Sequence, residues 1–524
     1  MFEGETRGLF GYFILQRRLT LCELAPTLAA MLDTLIIPFQ PTLPKVLPTI
    51  EGNVDYRDLR DQLLRIDQLL LQSGLETQLL EARLQRWLRA HPQASPKAQQ
   101  NQQLHSRRAL RCNLARILIR ETPRGFAARL ADSPLLQFFC ELGELGRVKV
   151  PAKSTLQRYS QWWEEAEVRQ LMQQLLVVGA EAPQQLHLPE AVDLETAFLD
   201  TTCLRANIHY PVDWVLLRDA TRTLMESVQL IRQQGLKHRM EEPASFISRI
   251  NKLCMQMTHA WNKADGQRQR KQTLRQMDRV VGTVRNHARR YRQLLDQSWE
   301  QTQWTRPQTD QVLRRMDQVL EQLPKARRQA RQRILEGQLV DNQEKILSLY
   351  EPEVNVIVRK KAGAEVEFGN TLLVVENPQG VILDWELFPG SAPTDSALLL
   401  RSVGRMQQVY RPKLKEVGTD RGFDSRANRI ALANEGIYNG VCPRSPRELQ
   451  ERNRSWKFKR LQRRRAQIEG RINLLKNVFL GQPVRSKGFA HRELNVTWTV
   501  LVHNLWVLAR LQRVAAVPAQ RQAA

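Results

Sequence analysis

Leucines recur three or four residues apart across residues 56–89 (Leu59, Leu63, Leu69, Leu80, Leu84 and Leu88 among them), the spacing of amphipathic helices. The Gln-, Ser- and Pro-rich stretch 92–106 interrupts that period and reads as a link, and a further helix is expected over 107–130. Ser133 and Pro134 form a helix-start signal before Leu135, Leu136, Phe138 and Phe139, with Gly143 and Gly146 expected to end that helix. A basic turn, 147–153, leads to a second start at Ser154. Two short helices joined this way have the look of a helix-turn-helix, in which Ser154, Gln157 and Arg158 would face DNA. A plain helical hairpin has the same look.

The character of the chain changes at Leu194. Residues 195–205 (ETAFLDTTCLR) show no helical period and read as a buried strand with an acid in its middle. Pro211 ends it, and Asp213 is expected to cap the next helix. From 213 to about 349 the pattern is helical and polar-basic, and a solvated helical surface would explain it as well as a ligand would. Strands return at 354–358, 366–375 and 381–387, followed by a helix over 395–410, a strand at 414–419, a helix from Ser425 closed by Gly436, and a strand at 437–441. Residues 456–480 read as one long basic helix, and 496–511 as a buried one, too short and too polar at His503 and Asn504 to span a bilayer.

Charge narrows the partners. Lys and Arg number 79 against 54 Asp and Glu, a net +25 over 524 residues, which favours a polyanion, nucleic acid first and an anionic membrane surface second. Arg17 and Arg18 cut the apolar run near the N-terminus, so no signal peptide is expected. The six cysteines form no CxxC pair and lie at no ligand spacing from the nine histidines, which argues against a zinc module and for a reducing cytosol.

Three carboxylates stand out by context. Asp200 lies inside an apolar strand, where an unpartnered carboxylate would cost several kcal/mol, so a partner or a metal is expected. Asp420 ends the strand 417–419 before Arg421-Gly422-Phe423, at the carboxyl edge of a sheet where ligands bind. Glu469 sits in the long helix on a face shared with Arg465, Ile472 and Lys476, beside the stripe Ile468, Leu475 and Phe479. On spacing alone Glu469 could equally be an exposed acid paired with Arg465. Among the other acids, Asp213, Asp395 and Asp424 stand at helix starts, and Asp384 lies mid-strand.

FLDTT (198–202), EFG (367–369), GSAPTD (390–395), GTDRGFD (418–424), and an RxxxE followed by ExxxxxxK (Arg465, Glu469, Lys476) together resemble the DDE-type transposases of bacterial insertion sequences, over about 194–511. Those proteins often carry a tyrosine three residues before the arginine; here it is Gln462. The resemblance implies Asp200, Asp420 and Glu469 as catalytic metal ligands, and Arg465 and Lys476 as grips on the DNA end. It implies two Mg²⁺ ions, with Mn²⁺ as a substitute, and oxygen-only ligands suit such a hard cation. The fold expected is an α/β ribonuclease H-like catalytic domain, a mixed sheet with flanking helices, preceded by an all-α DNA-binding region and interrupted by a helical insertion. Its divisions are 1–126 (helical N-terminal region), 127–190 (helix-turn-helix-like), 191–212 with 351–511 (catalytic), 213–350 (insertion) and 512–524 (tail). The expected activity is binding of terminal inverted repeats, strand cleavage and strand transfer. Expected partners are double-stranded DNA, both element ends and target, and a second copy of the chain in a homodimer. No membrane partner is expected, and the setting is a bacterial, nucleoid-associated cytoplasm. A non-catalytic DNA-binding protein and a nuclease without strand transfer are the alternatives.

Overall fold

The computed structural model describes residues 50–515 apart from 145–146, 261–262, 362–363 and 412. Expectations for residues 1–49 and 516–524, Cys22 included, and for Gly146 lie outside the described residues.

The leucine-rich start forms α1 (Val54–Gln72) and α2 (Leu75–Ala90), separated where Gly74 takes a left-handed φ of 68°. The expected link at 92–106 is instead mostly helix: α3 (Pro96–Leu118) opens on Ser95, whose side chain accepts from the Ala98 amide, with Pro96 in the first turn. Glutamine is nearly as good a helix former as glutamate, so a Gln-rich run behind a Ser-Pro start continues the helix. Thr122 and Pro123 then start α4 (Pro123–Asp132), dividing the single helix expected over 107–130. The next, α5 (Pro134–Phe139), begins at Ser133 as expected but stops at Cys140, short of the glycines. Gly143–Glu144 (β1) pairs antiparallel with Arg147–Val148 (β2) before α6 (Lys153–Tyr159), so a small ladder replaces the tight turn of a helix-turn-helix. The following α7 (Glu165–Glu181) completes this helical region. Its interior holds Arg111, 4 % exposed, forked onto Glu76 and bonded to Asp67 at 2.7 Å.

The expected strand forms as β3 (Thr196–Arg205). Four helices follow: α8 (Asp213–Gln233), α9 (Pro243–His259), α10 (Gly266–Ser298) and α11 (Arg306–Ala330), continued by one π-helical turn, Arg331–Glu336. Leu217, Leu224, Val281, Met316 and Val319 form their common core, all without exposed area. Bonds from Gln329 to Asp213, Arg315 to Glu226 and Gln303 to Gln234 run α8 antiparallel to α11. Asp213 does not cap α8. Val212 holds that position, and the Asp213 carboxylate is buried under Gln329 and Arg333, both at 2.8 Å. Helix ends at Gly337, which takes φ 72°, and the chain is irregular from there to β4, so the helical expectation to 349 overshoots.

The sheet is completed by β4 (Asn355–Lys361), β5 (Ala364–Glu376), β6 (Ile382–Leu387), β7 (Glu416–Thr419) and β8 (Tyr438–Val441). Strand order is β4-β5-β3-β7-β8, with β6 paired to the far half of β5. Central β3 is antiparallel to β5 and parallel to β7, which makes the sheet mixed. Helices α12 (Asp395–Val409), α13 (Arg426–Asn434) and α14 (Pro446–Arg452) fill the connections.

The single long helix expected over 456–480 is three pieces: α15 (Trp456–Arg465), α16 (Gln467–Asn473) and a π-helical run, Leu474–Leu480. Each lies on a different support, α15 on β7 and β8, α16 on β3, and the π run on the last helix, α17 (Phe489–Ala515). Ala466, between the first two, keeps right-handed helical angles (φ −56°, ψ −22°), as does Asn473 before the third, so the chain stays in the helical region throughout. Helix α17 packs against α1, α3 and α7, joining the N-terminal helices to the sheet. No helix among the described residues is long and apolar enough to cross a membrane.

Candidate active site

Parallel pairing of β3 with β7 sets Thr196 beside Glu416, Ala197 beside Val417 and Phe198 beside Gly418. Extending that register by two residues places Asp200 across from Asp420. Close approach needs glycine: a Cβ on Gly418 would lie 2.9 Å from the Phe198 ring, and one on Gly440 would lie 2.8 Å from Leu461 of α15. Gln462, where the resembling proteins often carry tyrosine, donates from one amide to the carbonyls of Thr419 (3.1 Å) and Gly440 (2.6 Å). It therefore ties α15 to the strand end that carries Asp420.

The next segment is held by a buried acid that the sequence did not single out. Glu376, at the end of β5 with no exposed area, receives Arg464 at 2.8 Å and Arg471 at 3.1 Å, one from each side of the break at Ala466. Arg464 also bonds the carbonyls of Asn377 and Pro378. With both arginines fixed, Glu469 between them is exposed toward the same space as the two aspartates.

Asp200, Asp420 and Glu469 line one open cleft of about 1090 Å³. Asp395, Lys476 and Arg444 share its wall. Asp200 Oδ1 accepts from the Thr201 amide at 2.7 Å, and Asp420 Oδ1 from the Gly422 amide at 2.8 Å. Burial pushes the Asp200 carboxyl up to about 6; the Thr201 amide opposes this, Asp420 adds to it, Arg465 opposes it, and Asp395 adds to it. The cleft wall carries Asp200, Asp341, Asp395, Asp420 and Glu469 against Arg444 and Lys476.

Asp395 does not act as a cap. Thr394 is the N-cap of α12, and the Asp395 carboxylate accepts from the Thr201 hydroxyl at 3.1 Å. The remaining acids near the motifs are neutralised structurally. Arg405 and Ser402 hold buried Asp384, while Arg429 forks onto Asp424 and keeps it below the usual carboxylate range. Ser425, not Asp424, caps α13.

The cations are placed unequally. Lys476 donates to the Thr202 hydroxyl at 3.0 Å, and so is tied to β3 as well as facing the cleft. Arg465 is half-buried and its Nε finds no hydrogen-bond partner; it does not line the cleft. Glu469 makes no ion pair among the described residues, so the pairing with Arg465 left open by spacing does not form. Arg444, which no motif marked, donates to the carbonyls of Arg421 and Gly422, both at 3.2 Å. Residues 341–343, from the irregular chain after the bundle, close another side. Ser154, Gln157 and Arg158 all lie on the exposed face of α6, whose Leu156 and Tyr159 are buried.

In type, the donors are those a hard divalent cation takes, carboxylate oxygens with no thiolate or imidazole. Among the described residues no three acidic, His or Cys side chains are yet gathered closely enough to hold an ion as they stand.

Residues 359–505 match the family model described as a transposase DDE domain. The match runs from the end of β4 into α17 and includes Asp420 and Glu469; Asp200, on β3, precedes it. It supports a DDE-type transposase. No curated protein and no solved structure matches the chain.

Proposed function

We propose that the chain is a transposase that binds the terminal inverted repeats of its own element, cleaves a strand there and joins the freed 3′ end to target DNA. The observation that carries this reading is the single cleft lined by Asp200, Asp420 and Glu469. In this reading the sheet with its flanking helices is a ribonuclease H-like catalytic domain, and 213–350 is an insertion after its first strand.

Asp200, Asp420 and Glu469 would hold the metal, and Asp395 lies close enough to Asp200 to raise its proton affinity. Two Mg²⁺ ions held there would supply the positive charge that both attacking and departing oxygens need in an in-line displacement at phosphorus. Lys476 and Arg444, both on the cleft wall, would meet the phosphate oxygens, each steadied by its bond to Thr202 or to the 421–422 carbonyls. Gln462 positions Asp420 through the Thr419 carbonyl. No nucleophilic side chain is required, because water and then the 3′-hydroxyl are the attacking groups.

The test is nicking of an element-end duplex in Mg²⁺ beside a gel-shift assay, for Asp200→Asn, Asp420→Asn and Glu469→Gln. Nicking should vanish in each while binding stays within a few-fold. A variant that nicks at the wild-type rate removes its residue from the set.

A further inference from the structure

A second charged cleft, of about 430 Å³, opens on the bundle and is lined by Arg285 of α10, Arg327 and Arg328 of α11, and Arg331 of the π-helical turn, with Glu336 as the one acid on its wall. Helical spacing explains three of them: 327 and 331 are one turn apart, 328 lies beside them, and the neighbouring helix supplies 285. Only Arg327 has an acidic partner, Asp278 at 2.7 Å; Arg285, Arg328 and Arg331 have none among the described residues. Arg285 Nε is buried without an acceptor, and burial together with Arg289 and Arg327 holds its guanidinium below the ordinary value. Arg328 and Arg331 are exposed.

Four guanidiniums around one cleft repel one another unless an anion sits between them. Guanidinium forks match the paired oxygens of a phosphodiester, and an open cleft admits a polymer that a closed pocket would not. Arg333, two residues past Arg331, lines a further cavity of about 230 Å³ together with Asn342. Asn342 also lines the active-site cleft, so that cavity, on the Arg333 side of the bundle, shares a wall with the carboxylate site.

We propose that the Arg285–Arg327–Arg328–Arg331 cleft is a docking site for the backbone of duplex DNA, gripping the helix on the bundle while the scissile phosphate lies among Asp200, Asp420 and Glu469. This rests on the DNA-processing reading of the active site. The bundle is then a second phosphate-binding arm, and its contacts are blind to base sequence.

The test is fluorescence anisotropy of the full chain on an element-end duplex and a random duplex of equal length, from about 50 to about 200 mM salt. Each phosphate contact adds about 0.9 to the log–log salt slope. Arg328→Gln with Arg331→Gln, both at exposed positions, should lower that slope by about 2 on both duplexes alike, with Tm unchanged, and Arg285→Gln should lower it further. An unchanged slope overturns the docking site while leaving the active-site reading intact. Wild-type protein that binds neither duplex overturns the DNA reading itself. Inorganic phosphate that raises the Tm of wild type but not of the double variant, with the DNA slope unaltered, assigns the cleft to a free anion and also overturns the proposal.

Discussion

Asp200 has a carboxyl raised to about 6 in a protein whose unfolded chain titrates near the ordinary carboxylate value of 3.8. Above pH 6 the folded state must keep a charge it disfavours, and this penalty is relieved as pH falls from about 6 towards 3.8. Asp200→Asn should therefore raise the metal-free Tm at pH 7.5, by on the order of 3 kcal/mol of stability before relaxation of the site, even as it abolishes cleavage. Thermal melts in chelator measure this, and a lowered Tm would mean the carboxylate is structurally paired. His503 runs the other way. Buried without exposed area, it is held down to about 3, first by burial and then by Arg471, with Asn504 opposing. Below its ordinary 6.5 the unfolded chain takes up a proton that the folded state refuses, so stability is lost as pH falls from about 6.5 towards 3. At pH 5 the loss should approach 2 kcal/mol, and His503→Gln should melt with a shallower pH dependence over 5–7. An unaltered dependence would put the titration elsewhere.

At the scale of elements, the break at Ala466 is the feature least visible in the sequence. Alanine is the best helix former, and nothing around it signals an end. Ala466 keeps helical angles, and the irregularity there coincides with the change of support from β7 and β8 to β3, which is tertiary information. The same holds for Glu376: one acid after a run of valines reads as the end of a strand, and only the fold brings Arg464 and Arg471 to it. Glu376→Gln should cost about 3 kcal/mol or more, since removing one member of a buried ion cluster leaves the others without compensation. It should also slow cleavage, because Glu469 lies between the two arginines. Denaturant melts alongside single-turnover nicking would show both effects, and loss of neither would make the clasp incidental. By contrast β3, β5, β6, α12 and α13 were legible within a residue or two, because apolar runs without a helical period, the Ser425 start and Gly436 mark them locally. The placement of Asp200 within β3 and of Asp420 at the end of β7 was legible too. Arg444 and residues 341–343 were not, since they reach the cleft from irregular chain that carries no period. Asp395 was misjudged as a cap because a carboxylate at a helix start has two possible uses, and only the position of Thr201 decides between them.

For the whole molecule, the placement of the bundle has a consequence in time. Strand β3 is made early but finds its ladder only with residues 369–376 and 416–418, after the whole bundle has been synthesised. Closing so long a loop is slow and leaves an apolar strand without partners in the meantime. The bundle shortens the wait. Its first and last helices are clasped at their base by Asp213 with Gln329 and Arg333, so once it folds on itself the two flanking chain ends emerge side by side. What would be a loop of well over a hundred residues then closes like a short connection, and the strand bearing Asp200 is delivered to the neighbourhood of its partners as they leave the ribosome. Nascent chains halted after the bundle should already protect α8 and α11 from protease while β3 remains cleavable. The segment that interrupts the sheet in sequence would thus be the jig on which that sheet is assembled.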